Sequence, residues 1–327
     1  MWLIKALLLC VLTSCRCLVH ASRSCSWLQR TGLQQSLRIA LNGTGCSDDV
    51  KKFCSLKDHS KGQTIAETQQ HDQFLQFEGS RLHPASKAIY DWITDNPGEK
   101  AVHDIFTVLF RNCHQTSYFL DIGANAGLYT LQALESGCSA IMFDPQPSCW
   151  TLIYENLCLN PRLIGNVALI PTALSNETSQ FVVPGTRDPW RCYGTFTVHN
   201  QNTVNSSLSP LEADLLVNTN VLSTVIKHSP LYVVKIDTEG HEIFILRSLL
   251  RYFSDRIIEN AIVEITPLFW KRDGFGRGDA FEVLSQIISF GYKIDRLHPA
   301  QPLATVQDLE RYILHAEFVQ EDIHIYL

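Results

Sequence analysis

From about residue 85 onward, apolar positions fall into two alternating patterns. Ala88, Ile89, Trp92 and Ile93, then Val102, Ile105, Val108 and Leu109, recur at three- and four-residue spacing, as helical faces do. A short apolar run, Tyr118 to Ile122, stops at Gly123 and gives way to a helix-like stretch from Gly127 to Glu135. The next run, Ala140 to Phe143, precedes a helical pattern from Pro147 to Leu159, and Val167 to Pro171 follows. After a polar insertion come Leu231 to Ile236 and Ala261 to Ile265, then Tyr292 to Leu297 and Ile323 to Leu327, which makes seven runs. Short apolar runs alternating with longer helical stretches predict a parallel sheet covered on both faces, because each parallel connection needs a crossover. The expected fold is therefore α/β, a Rossmann-like, seven-stranded, mostly parallel sheet over residues 86–327. Thr195 to Ser209, rich in Asn, Ser and Thr, and the glycine-rich stretch Asp273 to Gly278 read as loops.

The chain ahead of this pattern is different. Residues 22–85 are polar, rich in Gln, Ser and Lys, and form an N-terminal extension with weak periodicity. Residues 1–21 carry Lys5, then the apolar run Ala6 to Thr13, then Val19-His20-Ala21 with the small residues a signal peptidase requires. The expected destination is the secretory pathway. The apolar run falls far short of the ~20 residues that span a bilayer, so no stable membrane span is expected. Cleavage after Ala21 removes Cys10, Cys15 and Cys17 and leaves eight of the 11 cysteines, an even number compatible with disulfides. Cys149 and Cys158 sit on one predicted helix about 13 Å apart and cannot bond each other. Sequons at Asn42, Asn176 and Asn205 agree with a luminal route. The alternative is an organelle, because Arg16, Arg23, Arg30 and Arg38 precede the first acidic residue, Asp48, as in transit peptides.

Charge narrows the partners. With 27 Lys and Arg against 33 Asp and Glu, the net charge of -6 provides no basic field for a phosphate backbone, so a nucleic-acid partner is not expected. A small-molecule or glycan acceptor fits better. No Cys/His cluster has zinc spacing, and no metal is expected.

The chemistry concentrates at the strand ends. Tyr118 to Gly127 is an apolar strand emptying into a turn that permits positive φ, followed by a helix, which is the nucleotide-binding turn of a Rossmann-like sheet. It departs from the dinucleotide fingerprint: Asn125 stands where a glycine admits pyrophosphate, and Asp121 sits at the strand end. Asp144 closes the second strand, where a carboxylate accepts ribose hydroxyls, and Asp237 and Glu239 follow a later one. Four carboxylates there repel a pyrophosphate and suit a ligand carrying a sulfonium and an ammonium, so the charge sign selects S-adenosylmethionine over NAD. Plainer roles stand beside these. Asp144 could cap the helix that follows Pro145, and Glu239 and Glu242 could be first-turn carboxylates favoured by a helix dipole.

The stretches Phe119 to Thr130, Phe143-Asp144-Pro145, Asn156 to Asn160 and Val234 to Glu242 resemble the FkbM-type methyltransferases, over about residues 115–297. The resemblance implies a class I methyltransferase fold, S-adenosylmethionine as cofactor and O-methylation of a hydroxyl on a sugar, glycan or secondary metabolite. The candidate cofactor-binding residues are Asp121, Gly123, Asn125, Gly127, Asp144, Asp237 and Glu239. Asp144 departs from the family's usual Glu, and the signal-like N-terminus and the insertion between Pro184 and Pro210 are unusual. For catalysis, Asp237 and His241 are the candidate bases, with a solvent-facing helix residue as the plainer role of His241. Lys235, if buried, needs a carboxylate such as Glu264. Trp190 and Tyr193 could stack on a sugar, and Trp270 to Gly278 could close over the site. The competing functions are a non-catalytic Rossmann-like binding module and a NAD(P)-dependent oxidoreductase.

Overall fold

The computed structural model describes residue 54 and residues 76–77, 80–114, 116–175, 180–183, 192, 199–200, 215–221, 230–271, 274–315, 317–318 and 320–327. Met1 to Ala21, the three sequons, Cys25, Cys46, Trp190 and Tyr193 lie outside them. A two-strand hairpin, β1 (Gln76–Phe77) and β2 (Ser80–Arg81), leads into α1 (Pro84–Asp95) and α2 (Pro97–Phe110). Each of these helices has proline at its first position, where the missing N–H costs nothing, and a side chain at its N-cap. His83 accepts from Ala85 N, and Asn96 accepts from Gly98 N.

The central sheet is built from β3 (Tyr118–Ile122), β4 (Ser139–Phe143), β5 (Val167–Ile170), β10 (Leu231–Ile236), β11 (Ile258–Ile265), β12 (Lys293–Leu297), β13 (Ala300–Pro302) and β14 (Glu321–Tyr326). Their spatial order is β13-β12-β14-β11-β10-β3-β4-β5. The pairs from β5 through β11 are parallel, and β14 runs antiparallel between β11 and β12. All the predicted runs are strands, and β13 adds an eighth at the edge, three exposed residues too short and polar to signal themselves. The crossovers are α3 (Leu128–Glu135), α4 (Pro147–Leu159), α5 (Glu242–Ser254) and α7 (Arg277–Ser289), with the short α6 (Pro267–Trp270) and α8 (Val306–Glu310) beside them.

Strand alternation divides the interior. Leu120, Ile122, Ile141 and Phe143 face α5 and α7, whereas Phe119 and Met142 face α2, α3 and α4. Phe106 and Phe110 stack on each other with centroids 5.3 Å apart, and each meets Phe119 edge-on, at 5.8 and 5.0 Å, arrangements ring quadrupoles favour. Within α2 the buried stripe is Val102, Phe106 and Phe110, while Val108, expected inside, is 55% exposed.

The polar insertion corrects the loop reading. Strands β6 (Ala173–Ser175), β7 (Gln180–Val183), β8 (His199–Asn200) and β9 (Leu215–Val221) form a second sheet in the order β6-β9-β7-β8, so Thr195 to Ser209 contains a strand. The Asp273 to Gly278 reading is likewise too long, because α7 starts at Arg277. Three disulfides join described residues: Cys54–Cys158, Cys113–Cys138 and Cys149–Cys192. Such bonds persist in oxidising compartments. No described helix is long and apolar enough to cross a membrane.

Candidate functional site

A cleft of about 750 Å³ opens at the carboxyl ends of β3, β4, β10 and β11, where an open α/β sheet binds ligands. Its floor is the turn after β3. Gly123 N and Ala124 N both donate to Phe143 O, at 2.9 and 3.0 Å, which folds the chain sharply across β4. Gly123 has φ +81°, and a Cβ there would sit 1.7 Å from the Asp237 carbonyl oxygen. Two strand ends therefore approach more closely than any side chain allows. Asn125 and Gly127 are also left-handed, at φ 51° and 73°.

Asp144 ties this turn to the next helix. Its Oδ2 accepts from Asn125 N and its Oδ1 from Gln146 N, both at 2.8 Å. The cap and ligand roles are compatible, since each carboxylate oxygen keeps a second lone pair and Asp144 lines the cleft. Burial raises its pKa to about 7, against the lowering effect of the two N–H donors.

Asp121 lies beneath this floor, not on its surface. Fully buried, it accepts from Thr130 Oγ1 at 2.7 Å and sits opposite Lys235 in the β3–β10 register. Lys235 Nζ is 3.8 Å from Asp121 Oδ1, 2.9 Å from Asp237 Oδ2 and 2.9 Å from Gly123 O. Its direct carboxylate partners are thus Asp237 and Asp121, while Glu264 acts at longer range. Burial alone would drive the ammonium's pKa down, yet Asp237 and Asp121 hold it above its ordinary value. Burial conversely raises the pKa of Asp121.

The remaining wall is acidic. Asp237 and Glu239 line the cleft together with Glu99 from α2, Glu264 from the end of β11 and Asp322 from β14. Burial, reinforced by Asp237, raises Glu99 to about 7 and Glu239 to about 8. Glu264 and Asp322 are raised as well, first by burial and then by neighbouring carboxylates. His241, the N-cap of α5, is 4% exposed and lines the cleft, with its ring 5.0 Å from that of Phe244, so it does not face solvent.

Glu242 has a structural position. Its Oε1 accepts from Gly240 N at 2.8 Å and Thr238 Oγ1 at 3.3 Å, and its Oε2 from Trp270 Nε1 at 2.8 Å and Thr266 Oγ1 at 2.9 Å. This network pins the turn on which Glu239 takes φ 54°. Trp270, drawn inward by it, is 1% exposed, and Phe269 is the residue of α6 that lines the cleft.

The structure thus gathers Gly123, Asn125, Asp144, Asp237, Glu239 and His241 around one cavity and leaves Asp121 behind the wall. Gly127 packs away from it, its Cβ position 3.2 Å from Ile153 and Met142 side-chain carbons. Glu99, Tyr129, Asp322 and Gln320 were not singled out by sequence. Glu264, named from the sequence only as a partner for Lys235, follows the Ile236–Val263 pair near the end of β11, as Asp237 follows it at the end of β10.

The strand order, with a reversed strand beside β11, and the cleft at the strand ends give the chain the Rossmann-like fold of class I methyltransferases. The sequence profile described as the methyltransferase FkbM domain matches residues 121–294, and the chain belongs to this family of S-adenosylmethionine-dependent methyltransferases. No curated protein matches the chain. Among solved structures, precorrin-6y C5,15-methyltransferase from Geobacter metallireducens is similar at 10% identity and a TM-score of 0.34, covering 69% of this chain and 87% of that one. Trm5b from Pyrococcus abyssi is similar at 12% identity and a TM-score of 0.33, covering 77% of this chain and 54% of that one.

Proposed function

We propose that this protein transfers the methyl group of S-adenosylmethionine to a hydroxyl oxygen of a sugar, glycan or small metabolite in an oxidising, secretory compartment. The observation that carries the reading is the cleft itself: a turn with no room for a side chain at Gly123, a carboxylate beside it at Asp144, and five further acids with a single ammonium along the wall. Those features fit a cationic nucleoside and oppose a pyrophosphate.

In this reading the backbone of Gly123 and Asn125 borders the nucleoside, and Asp144 accepts its ribose hydroxyls. Asp237 and Glu239 face the positive end of the donor, and Asp121 acts indirectly by fixing Lys235. When bound, the donor supplies a methyl group already activated on sulfur, so the protein's work is alignment, exclusion of water and removal of one proton. Asp237 Oδ2 is engaged by Lys235, which leaves Oδ1 to take the proton of the acceptor hydroxyl. His241 is the second candidate on the same wall. Trp92, 55% exposed on α1, and Phe269 offer apolar faces of the kind a sugar ring stacks against.

The test is a thermal shift with S-adenosylhomocysteine and with NAD, followed by transfer of tritiated methyl to fractionated glycans and metabolites. Stabilisation by the first ligand alone and label on a hydroxyl-bearing fraction are expected. Stabilisation by neither ligand at millimolar concentration overturns the reading. Replacement of His241 by Ala separates the bases: a fall of about 10²- to 10⁴-fold in kcat makes His241 the proton acceptor, and a fall under about threefold leaves Asp237.

A further inference from the structure

We propose that Asp237, Glu239 and Glu264 bind a hard divalent cation, Mn²⁺ or Mg²⁺, in the cleft between donor and acceptor; with the cation bound, Asp237 serves as a ligand and His241 is the remaining candidate base. The cation's role in orienting a hydroxyl rests on the methyltransferase reading, whereas the binding itself does not. One oxygen from each of these carboxylates lies within 4.8 Å of the other two. Around Mg²⁺ or Mn²⁺, neighbouring ligand oxygens stand about 3 Å apart and opposite ones about 4.2 Å, so small side-chain rotations bring this set into octahedral reach.

A second observation points to a ligand. Glu264 is 6% exposed, and its Oε2 is buried without a hydrogen-bond partner, while Oε1 accepts from Gln320 Nε2. A buried carboxylate oxygen left unmatched is costly unless something positive meets it. The sheet adds to that cost, because Glu264 stands directly opposite Asp322 in the β11–β14 ladder, where like charges repel.

Charge balance argues the same way. Glu99, Asp237, Glu239, Glu264 and Asp322 share the cavity wall with one ammonium, Lys235. So many carboxyl groups around a single ammonium favour a further cation there. All three donor atoms are carboxylate oxygens, the set that hard cations prefer over zinc or copper. Three protein ligands leave octahedral positions for the oxygens of an acceptor diol, and a bound hydroxyl there is more acidic.

The experiment uses the full chain, freed of metal by chelation and then titrated with Mn²⁺, with free Mn²⁺ read by electron paramagnetic resonance. The wild type is expected to bind one Mn²⁺ per chain, and Glu264→Gln and Glu239→Gln each to weaken it by at least about tenfold. Circular dichroism melts establish that each variant is folded, and should Glu264→Gln fail to fold, the part-exposed Glu239→Gln decides. Absence of a stoichiometric site in the wild type, or affinity within about twofold in the folded variants, overturns the proposal. A separate arm measures S-adenosylhomocysteine affinity in excess chelator. Nucleoside binding without Mn²⁺ binding sinks the cation site alone, and Mn²⁺ binding lost in the variants without nucleoside binding sinks the donor reading alone.

Discussion

At Asp144 one side chain holds the turn and faces the cleft, and its protonation couples the two. Burial raises its pKa from 3.8 to about 7, so between those values the folded protein keeps a proton that the unfolded chain has released. The stability this contributes is complete below pH 3.8 and is lost as pH rises through about 7. Ribose hydroxyls need the ionised form as acceptor, so nucleoside affinity runs the opposite way. Calorimetry with S-adenosylhomocysteine at pH 6, 7 and 8 should show Kd tightening, by less than about tenfold per unit, and a flat profile in the wild type removes Asp144 from the ribose. Asp144→Asn should bind weakly at all three values. Gly123 makes a harder demand, because alanine would place Cβ 1.7 Å from the Asp237 carbonyl oxygen in a left-handed conformation. Gly123→Ala should cost more than the ~1–2 kcal/mol of left-handed strain, and a melting temperature unchanged from the wild type would mean that β3 and β10 can part without penalty.

Between strand and helix, the Thr238–Gly240 turn depends on α5 to hold its shape. Glu242→Ala strands the four donors from Gly240, Thr238, Thr266 and Trp270 and should lower unfolding free energy in urea by roughly 3 kcal/mol or more. A loss under about 0.5 kcal/mol would show that water replaces the carboxylate. Elements of this kind mark what can be read in a sequence. The parallel strands were legible because Tyr118–Ile122 and its neighbours are buried on both faces and are mostly apolar, whereas β12 and β14 showed through their alternating buried positions, such as Ile323 and Ile325. The second sheet was not, since His199–Asn200 lies among Asn, Ser and Thr and carries no apolar run. Of the residues that line the cleft, Gly123, Asn125, Asp144 and Asp237 were singled out from strand-end chemistry. Asp322 was hidden because β14 is reversed and brings its first residues, not its last, to the cleft. Glu99 was hidden because an acid in the first turn of a helix already has an explanation in the dipole. Asp121 was legible as an acid but not as a buried one, which depended on its sharing the inward face of Phe119.

Across the whole molecule, disulfides bind peripheral segments to the α4 layer in two different places. Cys54–Cys158 closes a sequence separation of 104 residues and fastens the N-terminal extension to the end of α4. Cys149–Cys192 closes 43 residues and fastens the insertion to the first turn of α4, where Cys192 lines the cleft with its Sγ 3.2 Å from Asn125 Oδ1. Loop entropy scarcely separates the two, at about 4.7 kcal/mol for the longer loop and about 4 for the shorter. Position does separate them. Replacing both cysteines of either pair by serine should lower stability by about 2–5 kcal/mol in each case, read from denaturant midpoints. Only the Cys149/Cys192 pair should also weaken S-adenosylhomocysteine binding, because it alone buttresses the Asn125 turn. Equal changes in Kd for the two double variants would mean that the insertion takes no part in shaping the donor side, and that the extension and the insertion contribute stability alone.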